Sequence, residues 1–531
     1  MAKFYQTWYS CIILRMSEPG SPLKSLEMRL RALLPASLYA NAWVDPSPTT
    51  LEKVFTHLRT LQRILYDYLP RRISEDLPEP GMIRDEWQTG SLMFTDLAGF
   101  TKLMEANTSQ GQAGAAALLK VLNAYFAEMI EIISKSGGDL LEFTGDATFA
   151  FFPEGEKRSQ KDTIRAVKAG LRMQRAMEAR FAQIKTPQGN LHLGMRVGIH
   201  TGRFLSADIG TPRRMEHVLL GTAVQEAKLS ESNGQNGRVC LTVDAFERVS
   251  DVFRFEDGRP GYKLVVDDLS EEELGEYDII PRRTRLASSI LLERTVKGLL
   301  DEINGSLKTI EPLASYIPDP VLNLLVENAS SRNIKPDFPR PTIMFVNFIG
   351  LPELVDRVLP GEEWKVVNSF SRAFAMINAA VESRGGVLKK VTYHLSGSDI
   401  VIYFGVPTAH TNDPVRAVTT ALAIRDIVKN VKAPLVGRET PEITCQIGIS
   451  LGPCFVAEIG EPRGRREFNV LGDTVNTTAR LMNRAERDQI LITGYVHEAV
   501  SPYFECNSLG EVSLKGKSAP VPIYEVIQAV N

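Results

Sequence analysis

Two short runs carry residue types suited to phosphate chemistry. The first is Phe94-Thr95-Asp96-Leu97-Ala98-Gly99-Phe100-Thr101. About fifty residues later comes Gly137-Gly138-Asp139-Leu140-Leu141-Glu142-Phe143-Thr144-Gly145-Asp146. Each sets an aspartate, Asp96 or Asp146, where a strand meets a turn. Two such carboxylates can hold two hard divalent cations close together. That arrangement suits displacement at a nucleoside triphosphate, where positioning and charge neutralisation supply most of the rate. The turn Gly99-Phe100-Thr101 opens a helical stretch, whose first N–H groups can donate to phosphate oxygens.

The elements that must position these residues are legible from periodicity. Leu92-Met93-Phe94 predicts a short strand. Leu118, Leu119, Leu122, Phe126, Met129 and Ile133 recur at helical spacing and predict a helix from about residue 113. Gly137-Gly138 ends it, as a left-handed cap would. Two strands then flank Thr144-Gly145-Asp146, the second over Thr148 to Phe152. The whole pattern returns about 250 residues on. Phe345-Val346-Asn347-Phe348-Ile349-Gly350 repeats the first run and Gly385-Gly386 the glycine pair. Gln446-Ile447-Gly448-Ile449-Ser450 repeats Arg196-Val197-Gly198-Ile199-His200, and Asn469-Val470-Leu471-Gly472 repeats Val218-Leu219-Leu220-Gly221. Trp364, Val367, Phe370, Phe374, Ile377 and Val381 form the second helical stripe. Even the approaches match, Tyr68-Leu69-Pro70 before the first copy and Tyr316-Ile317-Pro318 before the second.

A period this long means two globular domains rather than a solenoid. The order of elements is β-α-β-β-α-β, a split βαβ, ferredoxin-like plan of the α+β class. The expected division is a mainly helical N-terminal extension over 1–88, a first domain over 89–286, a helical linker over 287–338 and a second domain over 339–531. Residues 1–15 read as an unstructured extension ahead of Met16.

Bulk properties narrow the function classes. A chain of 531 residues is too long for one core. Its formal net charge of −3 gives no argument for nucleic acid. No run of about 18 apolar residues is present to span a membrane. Five scattered cysteines without a CxxC pair fit a reducing compartment and give no metal framework. None of the seven histidines has a partner at metal-ligand spacing.

Over roughly 90–285 and 340–530 the sequence resembles the class III nucleotidyl (adenylate/guanylate) cyclases, and most of all the tandem-domain soluble adenylyl cyclases. The resemblance implies an intramolecular pseudo-heterodimer with a site between the domains. One domain gives the metal aspartates and the other gives base-recognition and transition-state groups. Carried over position by position, Asp96 and Asp146 would hold two Mg²⁺ or Mn²⁺ ions. Asn476 and Arg480 would act on the ribose and on the α-phosphate charge, while Lys390 and Asn469 would hold the base. Gly99, Phe100, Thr101, Arg196 and Lys517 would hold phosphates. In the opposite half-set the metal positions read Asn347 and Ser398, and the Asn and Arg positions read Gln225 and Leu229, so one live and one dead site are implied.

The implied reaction is ATP to 3′,5′-cyclic AMP and pyrophosphate, by a monomeric, cytoplasmic protein with no nucleic-acid partner. Asn469 leaves the base open, because its amide carbonyl can accept from adenine or its NH₂ can donate to a guanine oxygen. The alternatives are a guanylate cyclase and a silent nucleotide- or anion-sensing pseudo-cyclase. In the resembling enzymes the dead cavity receives bicarbonate on a lysine and an arginine. Here those positions read Glu142 and Lys228, which implies weak bicarbonate stimulation or none. Blander readings also stand. Asp96 can cap a turn, Arg196 can pair with an acid, and Lys389, Lys390 and Lys517 can be surface charge. Asn476 and Arg480, four apart on one helix face, can be a solvated pair.

Overall fold

Leu92-Met93-Phe94 lies inside a strand far longer than its apolar centre, β1 (Arg84–Ala98). The computed structural model describes residues 23–155, 162–277, 294–436, 440–461, 464–514 and 519–530. After β1 come α1 (Phe100–Thr108), α2 (Gly111–Lys135), the hairpin β2 (Asp139–Thr144) and β3 (Ala147–Pro153), and α3 (Asp162–Ala176). Then follow β4 (Gly194–Gly210), β5 (Met215–Leu220), α4 (Thr222–Ser232) and β6 (Val239–Thr242). The strands lie in the order β2-β3-β1-β4-β6, with β5 paired to the far part of β4. The order β2-β3-β1-β4 is the split βαβ arrangement.

The second copy repeats it. Its elements are β7 (Thr342–Ile349), α5 (Glu363–Glu382), β8 (Val387–Tyr393), β9 (Ser398–Phe404), α6 (Asp413–Lys429), β10 (Thr444–Leu451), β11 (Phe455–Gly460), β12 (Arg466–Leu471), α7 (Asp473–Arg484) and β13 (Ile490–Thr493). The sheet order is β8-β9-β7-β10-β13, and β11-β12 form a separate ribbon. The chain is α+β, with two sheets of matching strand order in tandem.

Two details differ from the sequence expectation. Residues 84–88 were expected in the helical extension, yet they are strand. Apart from Trp87 their side chains are polar and carry no alternation, but the backbone ladder from Arg84–Asp208 to Gln88–Phe204 fixes them. On α5 the buried stripe starts at Val367, whereas Trp364, in the first turn, is 54% exposed. Gly137 does cap α2 with φ +76, the left-handed conformation that glycine adopts without strain.

The chain divides into two compact units. Among the described residues, one gathers 23–65, 294–314 and 322–333. Its described part is helical, and Arg29 binds Glu311 there at 2.6 Å. The helix Pro48–Tyr68 supplies Leu51, Val54, Leu58, Leu61 and Leu65 to the interior at helical spacing.

The other unit, residues 66–283, 315–321 and 334–531, holds both sheets. Within it each copy places a ribbon in the core of the other. Phe455, Ala457, Ile459 and Leu471 of β11-β12 pack with Leu118, Leu122 and Phe126 of the first copy. Leu205, Ala207, Ile209, Val218 and Leu220 of β4-β5 pack with Val366, Phe370 and Phe374 of the second. At roughly 1.5–3 kcal/mol per fully buried large apolar side chain, the exchange contributes on the order of 10 kcal/mol before entropy.

Candidate active site

Asp96 stands opposite Arg196 in the β1-β4 ladder. The Arg196 guanidinium donates to Asp96 Oδ2 at 2.5 Å and lies 3.0 Å from Glu231 Oε1. Glu231, at the end of α4 and 0% exposed, also binds Lys228 Nζ at 2.5 Å. Asp146 sits in the β2-β3 turn, after Gly145 at φ +66. Burial, and then the charge of Asp96, push its carboxyl up to about 7. The two aspartates therefore share one pocket and repel each other, a repulsion that a divalent cation relieves. Thr144 Oγ1 beside them is buried without a hydrogen bond.

The donor set suits Mg²⁺ or Mn²⁺. Both ligands are hard oxygens, and Mg²⁺ is usually held by one or two carboxylates plus water and substrate phosphates. Among the described residues no three His, Cys, Asp or Glu side chains converge as a self-sufficient metal cage. Gly99, with φ +98, turns the chain from β1 into α1, and no side chain caps that helix start. Its N–H groups at Phe100 and Thr101 are thus left without a capping side chain.

The groups from the second copy lie on α7 and on the strands beside it. Gly472 at the foot of α7 abuts Met104 of α1, whose Sδ is 3.1 Å from where a Cβ on Gly472 would stand. Thr474, Thr477, Thr478, Leu481 and Met482 are buried faces of α7, and Asn476 and Arg480 are half-exposed beside them. Among the described residues the side chains of Asn476 and Arg480 make no hydrogen bond or ion pair, with Asp96 and Asp146 or with anything else. Lys390 donates to Phe143 O, on the strand that leads into Asp146. Lys389 donates to Phe468 O at 2.7 Å and so ties the Lys390 strand to the one bearing Asn469. Asn469 is 2% exposed; its Oδ1 accepts from Val470 N at 3.0 Å and its Nδ2 has no partner. Lys517 lies outside the described residues.

Sequence reading missed Glu231 and Lys228 as part of this pocket. An acid three residues after a lysine on a helix is an ordinary surface pattern, and only the tertiary fold joins it to Asp96 through Arg196. At the dead metal positions Asn347 Nδ2 donates to Ser396 O and Gln446 Oε1, both at 2.9 Å, in place of any cation. Glu142 accepts from Thr392 Oγ1 at 2.8 Å. Among the described residues no helix is long and apolar enough to cross a membrane.

Comparison with known proteins places the chain in one family. A family described as the adenylate and guanylate cyclase catalytic domain matches residues 84–262 and 335–527. Adenylate cyclase type 10 of Mus musculus is 23% identical over 461 residues, which are 82% of this chain and 26% of that protein. Its Homo sapiens counterpart is 24% identical over 402 residues, 74% of this chain and 24% of that protein. The chain thus spans about a quarter of the length of these curated relatives. A class III adenylyl cyclase-like ATP-binding protein from Pseudomonas aeruginosa shares the fold, with a TM-score of 0.51 at 15% identity over 84% of this chain and 93% of that one.

Proposed function

The chain belongs to the adenylate and guanylate cyclase catalytic-domain family, and from that membership we propose that it converts ATP to 3′,5′-cyclic AMP and pyrophosphate at one site between its two copies. The observation that carries the reading is the Asp96–Asp146 pocket, where two carboxylates repel each other in one copy while the other copy has Asn347 and Ser398 at those positions. Asp96 and Asp146 would hold two Mg²⁺ or Mn²⁺ ions, which supply activation of the ribose 3′-oxygen and neutralisation of the leaving pyrophosphate. The N–H groups of the Gly99-Phe100-Thr101 turn, with Lys517, hold the phosphates. Arg196, which pairs with Asp96 here, would join them on releasing that carboxylate. Arg480 meets charge growing on the α-phosphate and Asn476 orients the ribose. Lys390 donates to the adenine ring nitrogen.

In this reading the chain works as a monomer through its internal pairing. The four described cysteines are unpaired, in keeping with a cytoplasmic location. A second reading, guanylate cyclase, has one observation behind it. With Oδ1 of Asn469 engaged by Val470, the group left over is a donor, which suits a guanine oxygen better than an adenine amino group.

Incubating the purified chain with ATP or GTP and Mg²⁺ or Mn²⁺, with product identification, separates the readings. Cyclic AMP from ATP, absent in Asp96→Ala, is expected. Cyclic GMP in excess establishes the second reading, and no product above the Asp96→Ala control overturns both. Bicarbonate added at constant pH is expected to leave the rate unchanged. Glu142 stands where an anion would need a cation, and a carboxylate there repels an anion unless it is protonated or paired. Robust stimulation overturns this expectation.

A further inference from the structure

Glu231 carries a charge where the fold itself calls for none. It stands ten residues after Gly221, and Met482 stands ten residues after Gly472. The two helices pack alike at this point. A Cβ on Gly198 would lie 2.0 Å from Glu231 N, and one on Gly448 would lie 2.5 Å from Met482 N. Both residues are 0% exposed. An apolar side chain therefore serves the packing, as Met482 does in the second copy. A fully buried carboxylate is costly unless it is paired, so packing alone does not account for Glu231.

Its neighbours do. Asp96, Arg196 and Glu231 are all charged in the first copy, and the matching positions of the second read Asn347, Gln446 and Met482, all neutral. The neutral set closes without Met482. Asn347 Nδ2 donates to Gln446 Oε1 at 2.9 Å, and Gln446 Nε2 donates to Ala485 O at 2.5 Å. In the charged set, Arg196 Nη2 lies 2.5 Å from Asp96 Oδ2 and 3.0 Å from Glu231 Oε1. Only the contact with Asp96 is an aligned hydrogen bond. Glu231 Oε2 accepts from Lys228, whereas Glu231 Oε1 is buried with no hydrogen bond. One oxygen of a buried carboxylate thus stays open beside a guanidinium that is engaged elsewhere.

We propose that Glu231 is a positioning residue, the second resting place of Arg196 when Asp96 serves a divalent cation. The role rests on the reading of Asp96 as a cation ligand. Arg196 Nη2 has only to realign on Glu231 Oε1, so it exchanges one carboxylate for another and its charge is never left unpaired. A guanidinium has five N–H donors, so one held by Glu231 leaves others to face phosphate oxygens. Glu231 thereby lowers the cost of freeing Asp96.

Binding of Mn²⁺ alone to the full chain, read by electron paramagnetic resonance of the free ion, tests this without turnover. Wild type is expected to bind Mn²⁺ in a way that Asp96→Ala removes. Glu231→Gln is expected to weaken that binding about tenfold, because Arg196 then has no second carboxylate. Arg196→Gln copies Gln446 of the second copy. In that background, adding Glu231→Gln is expected to cost less than about threefold, since the guanidinium that Glu231 serves is gone. Equal losses in both backgrounds mean that Glu231 acts only as a nearby negative charge. Unchanged affinity in Glu231→Gln means that it acts only in the fold. Either result overturns the role.

Circular dichroism checks that each variant folds. Glu231→Met, which copies Met482, replaces Glu231→Gln if the latter does not. If Arg196→Gln does not fold, Glu231→Asp decides, because it keeps the charge but stops a methylene short of Arg196. A loss like that of Glu231→Gln supports the role, and wild-type affinity overturns it. Wild type without Asp96-dependent Mn²⁺ binding refutes the cation reading itself, whereas intact wild-type binding with unmoved Glu231 variants refutes only the part given to Glu231.

Discussion

Arg480→Ala is expected to lower the rate of cyclic AMP formation by about a hundredfold or more while leaving thermal stability unchanged. The two halves of this result come from different observations. Arg480 lies on α7 four residues after Asn476, so both project from one face of the helix. The neighbouring faces carry Thr478, Leu481 and Met482 into the core, but Arg480 itself makes no hydrogen bond or ion pair among the described residues. Its loss therefore costs the fold little. In the proposed mechanism the Arg480 guanidinium has its effect when charge develops on the transferring phosphorus, so the loss falls on kcat more than on KM. A solvated helix pair without function predicts no change in either quantity. Steady-state kinetics and a melting curve on one preparation decide, and an unchanged kcat removes Arg480 from the mechanism. Arg196→Ala behaves differently. It strips Glu231, a fully buried carboxylate, of one of its two cations, so stability and rate fall together.

Much of the fold was legible because the chain states it twice. A repeat of about 250 residues confirms each strand, helix and glycine pair by its counterpart, and periodicity supplies the type of each element. What the sequence left out is which core a given surface enters. Leu205, Ala207 and Ile209 alternate as any strand would, yet they pack in the second copy rather than their own. No local pattern encodes that exchange. Lys390 reads as a base-binding lysine, but with Lys389 beside it the sequence leaves open that one of the two is surface charge. A bulge between Leu388 and Lys390 changes the alternation of β8 and lets both side chains turn inward, Lys389 to Phe468 and Lys390 to Phe143. The candidate site divides in the same way. Asp96, Asp146, Asn476 and Arg480 stood out by residue type and spacing, whereas Glu231 acts through Arg196, and that link exists only in three dimensions.

The second large effect lies at Asp399, next to Ser398. Asp399→Asn is expected to stabilise the protein by about 4 kcal/mol near pH 8 and by almost nothing near pH 4. Asp399 is 8% exposed, its Oδ1 has no hydrogen bond, and burial pushes its carboxyl from 3.8 up to about 7. The sign follows from comparing states. The folded protein holds the proton more tightly than the unfolded chain, so stability falls as pH rises from about 4 to about 7. Above that window the fold carries an unpaired buried charge. Asparagine has no proton to lose, so its advantage grows across the same window and then levels. Register adds a second reason. Asp399 lies directly opposite Asn347 in the β7-β9 ladder, so their side chains share one face. Asn347 Oδ1 is also without a hydrogen bond. An amide at 399 brings an N–H that Asn347 Oδ1 can accept. Denaturant unfolding of both proteins at several pH values checks this. A difference that does not change with pH means that the Asp399 carboxyl titrates alike in the folded and the unfolded chain, and the account of a carboxyl pushed up by burial fails.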